Sequence, residues 1–291
     1  MSRLTDLAEL VRAPAALSVP GDVVAGAAAA GALGPRTPAL AAASVLLYWA
    51  GMAANDWADR DLDAVERPER PIPSGRVSPG LAVGLAAGLT VAGVGLAAVA
   101  GGRRAAAVAL PLATSIWGYD LVAKNTTAGP AVMATCRGLD VLLGAAGGRP
   151  ARALPAAITV AAHTWTVTAL SRREVSGADR ALPLRTLAGT VLVAASAARA
   201  PEPRHRTPGT VAVALPAVLA AWYAARYGTA QARVAAEPTA GRVRAAVGAG
   251  ITGLPALQGA LTARAGAGLL GLAVAAAAPL GRRLARRVSP T

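Results

Sequence analysis

The chain has no phenylalanine, a single cysteine and a single lysine, and only 15 acidic residues among 291. The lone Cys136 excludes an intramolecular disulfide. One lysine against 28 arginines, together with the missing phenylalanine, reads as the bias of a GC-rich coding sequence and carries no functional information. Charge itself is scarce, at 15% of residues, and long stretches lack it altogether, 77–102 and 207–225 among them. Each is long enough to cross a bilayer as a helix, which takes roughly 20 apolar residues. A soluble Ala-rich helical protein is the rival reading, and the recurrence of such runs between short polar breaks argues against it. A cleavable signal peptide is not expected, because the N-terminus is polar through Arg12 and no short apolar stretch ends in a small-residue cleavage site. No pair of matching halves is visible, which counts against a transporter built on internal repeats.

What the chain does contain is 54% hydrophobic residues, a mean hydropathy of +0.47 and 32 glycines. The predicted spans are 15–34, 38–57, 80–101, 105–123, 128–147, 153–171, 182–199, 208–226, 243–262 and 265–281; Pro255 leaves the last two open to merging. Small side chains along these runs would let helices pack closely within a membrane. The net charge of +14 would suggest nucleic acid in a soluble protein, but here the positive charge lies between apolar runs and at the ends, so no nucleic-acid partner is expected. With the N-terminus inside, 19 cationic residues fall on the inner side and nine on the outer, with Arg137 within a span. That asymmetry predicts a multi-pass cell-membrane protein, a single membrane domain over 1–291, with the N-terminus and both acidic loops cytoplasmic.

Six of the 15 acids (Asp56, Asp59, Asp61, Asp63, Glu66, Glu69) fall in one short window directly after an apolar run. On a continued helix Asp56, Asp59 and Asp63 share one face at i, i+3 and i+7, with Asn55 at its edge and Asp61 pointing roughly opposite. Carboxylates so placed repel one another unless a counter-charge intervenes. Oxygen ligands of this kind suit Mg²⁺. A merely solvated charged loop is the bland alternative.

This N-D-x-x-D-x-x-x-D motif, after the second apolar helix and trailed by Arg67, Arg70-Pro71 and Ser74-Gly75, resembles that of the UbiA superfamily of intramembrane prenyltransferases. The resemblance implies that Asn55, Asp56, Asp59 and Asp63 hold Mg²⁺ on a prenyl diphosphate, with Arg67 and Arg70 contacting phosphate. Tyr119 to Lys124 is similar to the family's Tyr-x-x-x-Lys element, in which the lysine meets diphosphate, but is one residue longer; an ion pair of Lys124 with Asp120 is the alternative. Arg137 and Asp140, three apart within a span, either pair with each other or line the cavity. Asp22 is expected to face the cavity. Residues 171–180 occupy the place of the family's second acidic motif, yet Glu174 and Asp179 stand five apart, about 140° around a continuous helix, unless Gly177 breaks it. With the Cys136-Arg137-Gly138-Leu139-Asp140 stretch, the pattern most resembles the EboC-like branch. His163, inside an apolar helix, is expected to be packed or hydrogen-bonded, not catalytic.

The sequence therefore predicts an all-α, polytopic transmembrane bundle of nine or ten spans with a UbiA-like lateral cavity, capped by two cytoplasmic loops. The expected activity is Mg²⁺-dependent transfer of a prenyl group from an isoprenoid diphosphate to an unidentified acceptor. Asp56, Asp59, Asp63, Glu174 and Asp179 are the candidate catalytic residues. Asn55, Arg67, Arg70, Tyr119, Lys124 and Arg137 are the candidate substrate contacts. The alternative is a non-catalytic isoprenoid-lipid binding or carrier protein of the same fold.

Overall fold

A computed structural model describes residues 3–13, 18–199 and 210–277. Arg204, Arg206, Arg282, Arg283, Arg286 and Arg287, which enter the charge asymmetry, lie outside the described residues. The described chain is helical: α1 (Arg3–Leu10), α2 (Pro20–Ala30), α3 (Thr37–Ala58), α4 (Arg60–Glu66), α5 (Pro79–Gly118), a π turn (Tyr119–Ala123), α6 (Gly129–Ala145), α7 (Pro150–Ser171), α8 (Ala181–Ala197), α9 (Thr210–Ala236) and α10 (Ala240–Arg264). A short apolar helix, α11 (Gly268–Ala277), follows.

Local chemistry sets the helix starts. Proline occupies the first turn of α2, α3, α5, α6 and α7, where its missing N–H costs nothing. The Ser78 and Thr239 hydroxyls accept from the Leu81 and Arg242 N–H groups, at 3.2 and 3.4 Å, and so cap α5 and α10.

The α5 stretch is two helical arms, divided beside Arg103-Arg104, where the sequence separates two apolar runs. Gly102 breaks it with φ 68° and ψ −161°, a conformation open essentially to glycine alone. The arms then run antiparallel: the Trp117 indole donates to Thr90 Oγ1 at 3.0 Å, while Ala105 packs beside Gly101. By length and composition Thr37–Ala58, Pro79–Ala123 and Pro150–Ser171 can cross a membrane.

The helices close a ring, each packing on the next from α2 and α3 through α5 to α10, with α10 returning to α2. Inside it, α2, α6, α7 and α10 meet. The α2–α6 crossing is close because Gly26 lies against the Val141 backbone and Gly144 against that of Val23; any Cβ there would strike a carbonyl. Hydrogen bonds identify which ends lie together. The 55–79, 119–129 and 171–180 segments share one end, tied by Lys124–Asp59 and Arg172–Thr126, and Pro238 joins them through Ala178. At the opposite end Arg149 N–H bonds Ala30 and Arg264 bonds Ser196.

The buried interior is partly polar. Arg137 Nε lies 2.7 Å from Asp22 Oδ2, and the guanidinium stacks over Tyr48 at 5.5 Å. Gln258 donates to Asp22 Oδ1 and to the Ser18 carbonyl, both at 2.7 Å. Asp140 instead accepts from the Ser44 hydroxyl. The ion pair considered between Arg137 and Asp140 thus gives way to one between Arg137 and Asp22, because α2 brings a buried carboxylate to the guanidinium. His163 Nδ1 bonds the Tyr223 hydroxyl at 2.8 Å, edge-on to Tyr223 and Tyr227, in the packed role expected of it.

Candidate functional site

The acidic motif straddles a helix break. α3 ends at Ala58, and Asp59 (φ −91°, ψ 3°) is the hinge from which α4 resumes. The i,i+4 backbone bonds Asp59 N–H to Asn55 (2.9 Å) and Asp63 N–H to Asp59 (2.8 Å) carry the helical register across the break. Asp56 and Asp63 therefore stay on one face, 4% and 1% exposed, while Asp61 points to solvent beside Arg60.

Buried carboxylates need cations, and the surrounding segments supply them. Arg70 Nη1 lies 2.5 Å from Asp63 Oδ2 and 3.4 Å from Asp56 Oδ1. Arg12 Nη2, from the N-terminal segment, reaches Asp56 Oδ1 at 2.6 Å. Arg67 lies 3.5 Å from Asp63 Oδ1 and Lys124 Nζ 2.6 Å from Asp59 Oδ1. Asn55 donates to Asp120 Oδ1 at 3.1 Å. The Lys124–Asp120 pair considered from the sequence is not formed; Asp120 is taken by Asn55 and Lys124 by Asp59.

For a divalent cation the donor set is chemically suitable: hard carboxylate oxygens with an amide at the edge. A single guanidinium nitrogen already sits between Asp56 and Asp63, where a cation shared by the two would lie. Asp63 Oδ1 is buried without a hydrogen bond. Asp56 and Asp63 fit a shared ion. Asn55 and Asp59 are turned to other partners, and among the described residues no three His, Cys, Asp or Glu side chains converge.

The extra residue between Tyr119 and Lys124 has a structural answer. Tyr119–Ala123 form a π turn, closed by Lys124 N–H on the Tyr119 carbonyl at 2.9 Å. An i→i+5 turn accommodates one inserted residue, so tyrosine and lysine return to one face despite the longer spacing.

The second loop is not a helix. α7 stops at Ser171, and Gly177 takes φ 77°, breaking the chain where the sequence suggested. Asp179 Oδ1 accepts from the Leu182 N–H at 2.8 Å, so its carboxylate caps α8. Glu174 is half-buried and its carbonyl accepts from Arg244 at 2.7 Å. Burial raises its carboxyl pKa, with the Arg244 charge opposing. Of the two candidate catalytic acids in this loop, Asp179 is thus occupied as a cap. Arg137, expected at substrate, is occupied by Asp22.

Two spaces adjoin this constellation at Tyr119. A cleft of about 710 Å³ is lined by Tyr119, Lys124, Asn125, Thr168, Arg172 and Arg173, among others, with three cations and no carboxylate on its walls. A slot of about 40 Å³ runs between Tyr48, Gly51, Ile116, Asp120, Met133 and Cys136, with mostly apolar walls. Arg12 is the site residue that the sequence reading missed. Its signal was its place: an arginine just before the first span, at the same membrane end as the acids.

Residues 18–240 match the UbiA prenyltransferase family. A digeranylgeranylglyceryl phosphate synthase of Halobacterium salinarum is 34% identical over 191 residues, 63% of this chain and 67% of that protein. Synthases of the same name from Methanopyrus kandleri and Natronomonas pharaonis are 38% and 47% identical; the matches span 51% and 29% of their lengths, and 47% and 27% of this chain. The fold resembles a solved structure described as digeranylgeranylglyceryl phosphate synthase in membranes, with TM-score 0.67 and 16% identity over 91% of this chain and 99% of that one. It also resembles an apo UbiA homologue from Aeropyrum pernix, with TM-score 0.60 and 20% identity over 88% and 96%.

Proposed function

Because the chain belongs to the UbiA prenyltransferase family, we propose that it transfers a prenyl group from an isoprenoid diphosphate to the hydroxyl of an acceptor in the membrane. The observation that carries this reading is the ring of cations around the motif: Arg12, Arg67, Arg70 and Lys124 surround Asp56, Asp59 and Asp63 beside a largely apolar slot. A diphosphate needs such cations, and a hydrocarbon tail needs such a slot. The family is generally metal-dependent, and Mg²⁺ is the ion we assign. Asp56 and Asp63 would hold it, with Asn55 and Asp59 as further oxygen donors. When bound it would neutralise charge on the diphosphate.

In the reaction the C1–O bond to diphosphate breaks and the pair of electrons leaves with the diphosphate. The acceptor oxygen bonds to C1, and its proton departs with the diphosphate. Lys124, Arg67 and Arg70 would stabilise the leaving group, since a charge-assisted hydrogen bond to phosphate strengthens as negative charge gathers there. An allylic cation formed in this step would have to be kept from water. The relatives' names, which end in glyceryl phosphate synthase, support an oxygen nucleophile.

Asp179's role as a helix cap favours one rival, a lipid binder of this fold without efficient chemistry. The deciding experiment incubates purified protein with Mg²⁺, prenyl diphosphates of graded length and a membrane lipid extract, and measures diphosphate release. Repeated turnover is expected, with loss of about 10²-fold or more for Asp56→Asn and little change for Asp61→Asn. Binding of prenyl diphosphate without release would establish the binder instead.

A further inference from the structure

We infer that the hollow on the outer surface between α9 and α10 is a seat for an anionic phospholipid of the bilayer, with Arg226, Arg233 and Arg242 on its phosphate and its acyl chains along the exposed face of α9. The hairpin of α9 and α10 turns at the motif end of the bundle, where the Pro238 carbonyl accepts from the Ala178 N–H. The hollow nonetheless shares no lining residue with the slot or with the cleft at Lys124. Three observations carry the inference.

The first is positive charge gathered in a concave space. The hollow, about 310 Å³, is lined among others by Arg226, Thr229 and Arg233 of α9 and by Arg242, Ala245 and Ala249 of α10, with no carboxylate on its walls. The Arg226 and Arg233 side chains are exposed and make no hydrogen bond or ion pair among the described residues. Arg242 has a surface pair with Glu237 at 3.3 Å, of a kind that is readily exchanged. Ala245 and Ala249 keep the α10 wall low, which leaves the space open. Cations brought together in this way repel one another, and a phosphate that accepts from two or three guanidinium groups removes the conflict.

The second observation is depth. The charge-free run of α9 ends at Ala225, so Arg226 stands where hydrocarbon gives way to headgroups. Arg233 lies two turns on, about 10 Å further along the axis. The headgroup layer of one leaflet is about 5–8 Å thick, and the two arginines bracket it.

The third is the order of residues on one face. Val218, Trp222, Arg226, Thr229 and Arg233 recur at intervals of three and four and so share the outward side of α9. Val218 is 60% exposed and Trp222 38%, whereas Tyr223 and Tyr227 are buried on the inward side. The outward side thus passes from apolar, through an indole of the kind that settles at a membrane interface, to cationic. An anionic phospholipid has the same order of chains, glycerol and phosphate. A soluble anion would use the arginines and leave the Trp222 stripe without a role. A zwitterionic lipid would bring a further cation to the three already there.

The test places purified protein in phosphatidylcholine nanodiscs doped with phosphatidylglycerol and measures retained lipid by native mass spectrometry. Phosphatidylglycerol should be retained in preference to phosphatidylcholine. Arg226→Gln combined with Arg233→Gln should weaken that retention about tenfold or more. Arg180→Gln combined with Arg185→Gln removes the same charge from exposed arginines off the hollow, and should leave retention unchanged. Ala245→Trp keeps every charge but fills the hollow, and should lose the lipid as well. All these positions are exposed, so each variant is expected to keep the wild-type circular dichroism spectrum. Equal losses in the two arginine pairs, or undiminished retention in Ala245→Trp, would reveal a diffuse basic surface and overturn the seat. Equal retention of phosphatidylcholine would reduce it to an apolar groove, and displacement of the lipid by excess inorganic phosphate would assign it to a soluble anion; either result overturns the inference.

Discussion

At the residue scale, the chain's rarest resource is negative charge, and nearly every buried acid is answered by a specific cation or amide. The deepest case is Asp22 with Arg137, 0% and 6% exposed, held also by Gln258. A buried pair adds little net stability when intact, because desolvation offsets the attraction. Removing one partner strands a charge. Arg137→Met is therefore expected to destabilise the protein by about 3–5 kcal/mol in a detergent unfolding assay, and Asp22→Asn combined with it should return much of that loss. A single mutant as stable as wild type would show that the pair is dispensable to packing and return Arg137 to the list of substrate contacts.

At the element scale, single glycines and one π turn decide how helices end and reverse. Gly102 turns the α5 hairpin in a conformation that side chains avoid, and nothing lies within 4 Å of where its Cβ would stand. Gly102→Ala should therefore cost about 1–3 kcal/mol from backbone strain alone. Gly88→Ala in the same stretch, also in open space but helical, should be neutral or stabilising by up to about 1 kcal/mol. Thermal melts of the two variants check this; equal effects would mean that the hairpin reversal tolerates another backbone. The π turn acts differently. It lets a sequence with one residue too many keep Tyr119 and Lys124 on the same wall, which a count of spacings alone reads as a departure from the family.

At the scale of the molecule, the helices alternate so that, among the described residues, the acidic motif gathers at one end with the 119–129 and 171–180 segments. Arg103 and Arg104 lie at the hairpin tip of α5, away from the motif. Positive-inside placement then expects the motif end to be cytoplasmic. In a Cys136→Ala background, Glu66→Cys should resist a membrane-impermeant thiol reagent applied to intact cells, and Arg103→Cys should react. The opposite pattern would invert the orientation without disturbing the fold.

Much of this was legible along the chain. Charge-free runs of membrane-crossing length identify a membrane helical bundle, because length and hydropathy are local properties. The period of the acidic motif identified Asp56 and Asp63 as face-sharing, and the i,i+4 bonds across Asp59 kept them so. The Gly177 break was likewise a property of one residue. Partners were another matter. That Arg137 belongs to Asp22 and not Asp140, that Lys124 belongs to Asp59 and not Asp120, and that Arg12 caps Asp56 are facts about segments far apart in sequence. Spacing on one helix offers only the near neighbour as a candidate, whereas an ion pair forms wherever the packed ring brings opposite charges to contact. The branch within the family stays a resemblance, since the relatives found carry the glyceryl phosphate name. The sequence thus determined the all-helical membrane class and the residues worth watching. Tertiary structure alone decided which charge answers which, because the ring closure that pairs them is not written in any local period.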